Sequence, residues 1–523
     1  MLHEAAGSLW LTVSNGLLHL GFTPIRPFTT RPSPSTMNTF ADEVERALAT
    51  VIGDHVAPPR MAVGRVEDGV VADLHGHNAD QHTRFRIASM TKSFTAAAVL
   101  KIRDAGVWRL DDPISRWVPE TIGLVGPTSD SPAITLRHLV SMAAGMSTDD
   151  PWGDRLLDLD PAGFRSVMSS PATFAVVPGT GMQYSNFGYA LLGEAILRAT
   201  RRTAQRYITD ELLNPLGMGA TTWSVPSTHD FAAPAPRSEQ LPELEPLADG
   251  AFAPMGGLWS TVGDLARWVE FLADAFPPRD GADSTVLCRA TRREMQQAQT
   301  SWPPRIEDTP RGPRFYELAY GFGLMISEHP TMGKLVNHSG GLPGYGSNMR
   351  WSVDAGVGFV ALANRTYAPM RSLTLELIES YAHIGVFAAR ERRWPTDTNM
   401  LRSAGDQLIG AIVGPDGPRF DGIQFAFNVS LDSPLAQRAD TALAVIRTVG
   451  GAGSVGPASE WELTATSATQ GTFTTQTTTH TLKLSVLLHP QVPPLVQQFE
   501  LTALQRPEPH GASCTQPGSR TST

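Results

Sequence analysis

The sequence predicts an α/β catalytic domain interrupted by a helical insertion, followed by a small α+β module. Three observations carry this. A Val-rich hairpin pattern, MAVGRVEDGVVADLHG (61–76), and a long helix pattern, MTKSFTAAAVLKIRDAG (90–106), stand early in the chain. From 107 to about 315 the patterns are mostly helical, with Pro- and Gly-rich connections. Strand signals return at 320–326, 334–338 and 349–363, and a helix follows around 370–385. Strands and a helix on both sides of a helical stretch fold most economically as one domain with an insertion, leaving a cleft between the two.

The elements follow in order. The opening MLHEAAGSLWLTVSNGLLHLGF has an acid at Glu4 and no basic region, so it reads poorly as a secretory signal. RPFTTRPSPST follows, and 1–36 is expected to be a disordered extension. NTFADEVERALATVIGD (38–54) is an amphipathic helix pattern, and the catalytic domain is expected over 37–390. In 61–76 two Val-rich runs flank Asp68-Gly69, a tight-turn pair. The next helix is rich in Ala, Leu and Lys and stops at Gly106. In the insertion, Ser260 or Thr261 is placed to cap DLARWVEFL. Residues 391–417 are expected to be a linker. Residues 418–505, with the helix SPLAQRADTALAVIRTVGG (433–451) and Thr-rich alternating segments around 460–503, form the accessory module. A disordered tail is expected over 506–523.

Composition removes several function classes. The formal charge of −9 and the lack of a Lys/Arg stripe argue against nucleic acid as a partner. Two cysteines, Cys288 and Cys514, cannot build a disulfide framework. No run approaches roughly eighteen uninterrupted apolar residues, so no membrane insertion is expected. A small-molecule substrate and a cytoplasmic location are the expectations.

Three short stretches carry chemistry. Ser89 and Lys92 lie at i and i+3, on one face of a helix. A serine in the first turn sits near free N–H groups and the positive end of the helix dipole. A desolvated, neutral lysine one turn on can take its proton. Alone, the pair equally fits a capping serine beside an exposed lysine. In PGTGMQYSNFGYALLGEAI (178–196), Tyr184 can pass a proton and Asn186 can hold a substrate amide, or they serve only as a core aromatic and a helix cap. In VNHSGGLPGYGSNMRW (336–351), His338, Ser339, Gly340 and Gly341 sit where an edge strand is expected to begin. Glycines there let a substrate backbone approach and pair, with His338 beside it. The bland alternative is a Gly-rich turn with a surface histidine.

The order S-x-x-K, Y-x-N, H-S-G over roughly residues 40–390 resembles the serine β-lactamase and penicillin-binding-protein superfamily. The resemblance is nearest to its class C β-lactamase, DD-peptidase and family VIII esterase branch. It extends through FRIASMTKSFTAAAVLKIRDAGVWRLDDPISRWVPE, ITLRHLVSMAAGM, GGLWSTVGDLARW and HSGGLPGYGSNM. It implies a β-lactamase-like antiparallel sheet flanked by helices and an acyl-serine mechanism without metal or cofactor. By this resemblance Ser89 is the nucleophile, and Lys92 is the base, sharing that task with Tyr184. Tyr184 protonates the leaving group, Asn186 orients the substrate, and the N–H groups of Ser89 and Gly341 form the oxyanion hole.

Many penicillin-recognising members carry lysine where this chain has His338, and histidine is mostly neutral at pH 7. The expected function is therefore a serine hydrolase of a small ester, amide or D-amino-acid peptide, with weak or no β-lactamase activity. The alternatives are a slow-turnover penicillin-binding-like protein, a true β-lactamase or DD-carboxypeptidase, and transfer to an alcohol or amine. His75, His77 and His82 lack the partners to complete a metal site. The acidic run STDDPWGDRLLDLD (147–160) is expected to be a solvated loop at the cleft edge. No G-x-S-x-G elbow is present.

Overall fold

Asp68 and Gly69 both take positive φ, 49° and 75°, matching the twist of a two-residue hairpin. The strands they join, β1 (Met61–Glu67) and β2 (Val70–His77), form one side of an eight-stranded sheet in this computed structural model. The other strands are β3 (Thr300–Ser301), β4 (Ala319–Tyr320), β5 (Met325–His329), β6 (Gly333–Leu342), β7 (Tyr345–Ser352) and β8 (Val357–Ala363). The order is β2-β1-β8-β7-β6-β5-β4-β3, and every pairing is antiparallel. The structure describes residues 9–14, 17–22, 39–52, 56–226, 231–309, 312–384 and 397–506. The chain divides into two units, Met1–Arg392 and Arg393–Thr523.

The period of two sorts the strand residues. Met61, Val63, Phe359, Ala361 and Ala363 pack with Val44 and Ala47 of α1 (Phe40–Ile52) and with Leu373 and Leu377 of α5 (Met370–Ile384). Ala62, Val66, Val360 and Leu362 belong to the core of the opposite face. There α4 (Val262–Ala273), capped by Thr261, lies on the sheet. That core continues into α2 (Thr91–Asp104) and, within the helical insertion, into α3 (Asn186–Thr200). Each fully buried Val, Leu or Phe side chain among these is worth about 1.5–3 kcal/mol.

Helix α2 is buried all round: every residue from Thr91 to Leu100 is shielded from solvent. Its polar groups are therefore matched inside. Ser93 donates to Met90 O (2.8 Å) and Thr95 to Pro254 O (2.7 Å), while Trp268 Nε1 donates to Ser93 Oγ (2.9 Å). Strand β6 presses on the short turn Ala88–Met90 that leads into α2. Ser347 donates to Ile87 O (2.8 Å). A Cβ at Gly340 would run into Ile87 O and Ser347 Oγ and come within 3.0 Å of the Ala88 Cβ.

The second unit has its own core. Helices 399–412 and 435–448 pack through Leu408, Ile412 and Ile446 onto Phe473, Leu484 and Phe499 of a four-stranded antiparallel sheet (462–467, 470–476, 480–488, 496–505).

Three expectations need correction. Part of the 1–36 extension is a hairpin, Leu9–Ser14 paired with Leu17–Phe22, rather than disordered chain. The stretch 391–417 is not simply a linker. Helix 399–412 fills much of it because Leu401, Leu408, Ile409 and Ile412 recur with helical spacing and are buried. The sheet resumes at Thr300, before the expected end of the insertion at 315, in two-residue strands too short to show alternation. Residues 507–523 of the expected tail lie outside the described residues.

Gly340→Ala is expected to destabilise the first unit by about 1–3 kcal/mol, the usual range for overpacking. Calorimetry should show its transition moving down. An unmoved transition would mean that β6 has slack against the turn.

Candidate active site

Ser89 sits in the turn Ala88–Met90, with Ala88 at φ +50°. That left-handed value costs an L residue about 1–2 kcal/mol. The turn is held by Ile87, whose N donates to Leu258 O (3.0 Å) and whose O accepts from Ser347. Ser89, Tyr184, Ser339, Gly340 and Gly341 all line one cavity of about 680 Å³.

Lys92 lies one helical turn behind Ser89 and is fully buried. Its amine donates to Ser89 Oγ (2.9 Å), Asn186 Oδ1 (2.6 Å) and Met255 O (2.8 Å). Burial lowers its pKa to about 8, opposed in part by Asp150, Asp154 and Asp149. Above that pH a neutral amine faces the serine hydroxyl. Tyr184 stands over Lys92, with Nζ 4.9 Å from its ring centre. Burial first, and then Asp150, raise the Tyr184 pKa well above that of a free phenol, so it keeps its proton, with a hydrogen bond to Ser89 opposing the shift.

Asn186 is converged on the site but does not line the cavity. Its side chain is fully buried and its amide is engaged on both sides. Oδ1 accepts from Lys92, while Nδ2 donates to Asp150 Oδ1 (3.1 Å) and Asp154 Oδ1 (3.4 Å). The N-terminus of α3 is capped by Ser185, which accepts from Gly188 N (3.0 Å). Asp149 accepts from Asn186 N (2.7 Å), Phe187 N (2.9 Å) and Ser185 Oγ (3.2 Å).

His338 departs from expectation in the same way. It is fully buried rather than beside the cavity, because the period of two points it away from the face that Ser339 presents. Its Nδ1 lies 2.6 Å from Ser339 O and its Nε2 3.1 Å from Tyr320 Oη. Nδ1 must donate to the carbonyl, and in the neutral ring that burial favours Nε2 then accepts from the tyrosine. Burial first, and then the Lys92 charge, lower its pKa to about 3. Nor is β6 an edge strand. It is interior, but β5 pairs with it only from Gly333 to Asn337. From His338 to Leu342 only β7 pairs with it, leaving one side open.

The acidic run borders the cavity at Asp150 and Asp154 and is exposed at Asp158 and Asp160, but it is not solvated throughout. Asp154 is 3% exposed, and burial, then Asp150, raise its pKa to about 7. Asp149 and Asp150 are also raised by burial. Tyr367, at φ +53°, reaches across Gly341 and donates to Asp154 Oδ2 (2.9 Å). Nothing in the local sequence marks Asp150, Asp154 or Tyr367 as sharing a cavity with Ser89, or Tyr320 as the partner of His338. Among the described residues no group of His, Cys, Asp and Glu could hold a metal ion, and no helix is long and apolar enough to cross a membrane.

The family model described as Beta-lactamase matches residues 48–383. Protein flp of Staphylococcus aureus (strain MW2) is 27% identical over 342 residues, 63% of this chain and 61% of that protein. The chain thus spans about three fifths of the length of that relative. Beta-lactamase-like protein 2 of Dictyostelium discoideum is 33% identical over 215 residues, 39% of this chain and 38% of that protein. In structure, the chain is similar to an octameric penicillin-binding protein homologue from Pyrococcus abyssi. The TM-score is 0.56 at 18% identity, covering 87% of this chain and 91% of that one.

Labelling of Ser89 by a fluorophosphonate is expected to quicken with pH through about 8, as Lys92 loses its proton, and then to level. A rate that is flat across that range would show that Lys92 is not what activates Ser89.

Proposed function

The chain belongs to the Beta-lactamase family, and on that premise we propose a serine hydrolase that forms an acyl-Ser89 intermediate on a small ester, amide or D-amino-acid peptide. The observation that carries this reading is the buried Lys92 amine, 2.9 Å from Ser89 Oγ. Ser89 Oγ attacks the substrate carbonyl carbon and its proton passes to Lys92 Nζ. Tyr184, held protonated by burial, gives its proton to the leaving group as that bond breaks. Water then cleaves the acyl ester and the protons return. The N–H groups of Ser89 and Gly341 serve as the oxyanion hole, where loss of one donor typically costs about 3 kcal/mol. Ser339 and Gly340 receive the substrate along the open side of β6. Asn186 and His338 act from behind the wall, Asn186 by holding Lys92 and His338 by holding Tyr320 and the Ser339 carbonyl.

The same geometry supports weak or absent β-lactamase activity. A β-lactam carboxylate needs a cation, yet the Lys92 amine is fully engaged and His338 is neutral.

Ser89→Ala should lower turnover of a short-chain nitrophenyl ester by about a thousandfold or more, as loss of a nucleophile does. Wild type should gain the acyl mass on Ser89 and hydrolyse cephalosporins slowly. Equal residual rates in both proteins would refute the acyl-serine reading. Rapid cephalosporin turnover would refute the substrate preference, and a Ser89 adduct that never releases would favour the slow-turnover penicillin-binding-like alternative.

A further inference from the structure

The cavity has two ends, and the register of β6 tells them apart. At one end β5 stops, with Met325 paired to Asn337 on one side and to Tyr320 on the other. Tyr184 and Trp302 gather there, each with its ring centre 6.4 Å from that of Tyr320. At the other end, beyond Gly340, the lining residues are Gly341, Tyr367, Ala368 and Asp154.

A side-chain bar crosses this second end. Tyr367 comes from the loop after β8 and Asp154 from the helical insertion, and the tyrosine hydroxyl donates to Asp154 Oδ2 (2.9 Å). Burial first, and then Asp154, raise the Tyr367 pKa, so the phenol keeps its proton and stays a donor. The ring is wedged in place. A Cβ at Gly341 would come within 2.7 Å of its Cδ1, and the Arg237 guanidinium stands 5.6 Å from its centre. The backbone is set as well. Tyr367 N donates to Tyr345 O (3.1 Å), and its φ of +53° is a left-handed value that a tyrosine keeps only where its neighbours impose it. Yet Tyr367 is 40% exposed, so its ring fills no core and its removal leaves no buried void.

Tyr184 gives its proton to the leaving group, so the leaving group belongs at the Met325 end. The acyl group then extends the other way, past Gly341, toward the bar. Resting on the reading of this cavity as the site of acyl transfer, we propose that Tyr367 is the end wall of the acyl side and sets the length of acyl group the enzyme accepts. A short acyl group fits between Ser89 and the ring. A longer one meets an aromatic edge that cannot step aside, which is discrimination by clash. Tyr367 is a specificity-determining residue in this scheme.

Nitrophenyl acetate, butyrate, hexanoate and octanoate vary the acyl chain and hold the leaving group constant. The full chain is used, and Ser89→Ala supplies the background for each ester. Wild-type kcat/KM should fall by about tenfold or more from the best short ester to octanoate, the scale on which a pocket tells methylenes apart. Tyr367→Gly removes the ring, and glycine takes the left-handed backbone without strain. In that variant the octanoate-to-acetate ratio should rise by about tenfold or more. A merely structural role would slow all these esters together and leave the ratio where it was. Naphthyl acetate against nitrophenyl acetate varies the leaving group instead, and that ratio should not move. An acyl ratio unchanged in Tyr367→Gly overturns the inference, as does a change confined to the leaving-group pair. A wild type that takes octanoate as readily as acetate overturns it too, even where the variant fails to fold. In each of these cases Ser89-dependent turnover of nitrophenyl acetate leaves the hydrolase reading standing. If no ester shows Ser89-dependent turnover, the hydrolase reading falls and this inference falls with it.

Discussion

One buried amine constrains this site. Lys92 has no water to solvate it, so each of its three donors needs a protein acceptor. The acceptors come from three places far apart in the chain: the turn before α2, the start of α3, and the carbonyl of Met255. Hydrogen-bond geometry tolerates only a few tenths of an ångström. Displacing any one of the three segments leaves a buried donor unmatched, at about 1–3 kcal/mol. The glycine at 340, the all-buried α2 and the left-handed Ala88 make sense as the means of meeting that tolerance. They let strand, turn and helix approach until the three acceptors converge.

The carboxylates follow from the same constraint. Desolvation disfavours the charged amine, and nearby anions oppose that shift, so the lysine ends near neutrality rather than far below it. Asn186 makes the arrangement possible. Its oxygen faces the amine and its nitrogen faces Asp150 and Asp154, so the ammonium and the carboxylates interact across an amide without direct contact. A direct ion pair would pin the amine as a cation, useless as a base. The α3 N-terminus takes up Asp149 with its free N–H groups.

What was legible in the sequence was local. Asp68-Gly69 announces its hairpin because two positive φ values are required there, and Ser89 and Lys92 share a helix face because of the i, i+3 spacing. The superfamily pattern brought Tyr184, Asn186 and His338 to the same place. It did not tell which side of the wall they occupy. For His338 that depends on strand parity, and for Asn186 on acids thirty or so residues earlier in the chain. Asp150 and Asp154 read as solvated because burial of a carboxylate is decided by what folds over it. The two-residue strands β3 and β4 are likewise set by their neighbours and leave no period to detect.

The early end of β5 has a consequence for solubility. An unpaired strand side is ordinarily a liability, a template onto which another molecule's sheet can grow into an aggregate. Here the open length runs only from His338 to Leu342 and borders a cavity rather than the outer rim of the sheet, which ends at β2 and β3. The unpaired backbone groups of β6 therefore lie away from the strands at which another molecule's sheet could add.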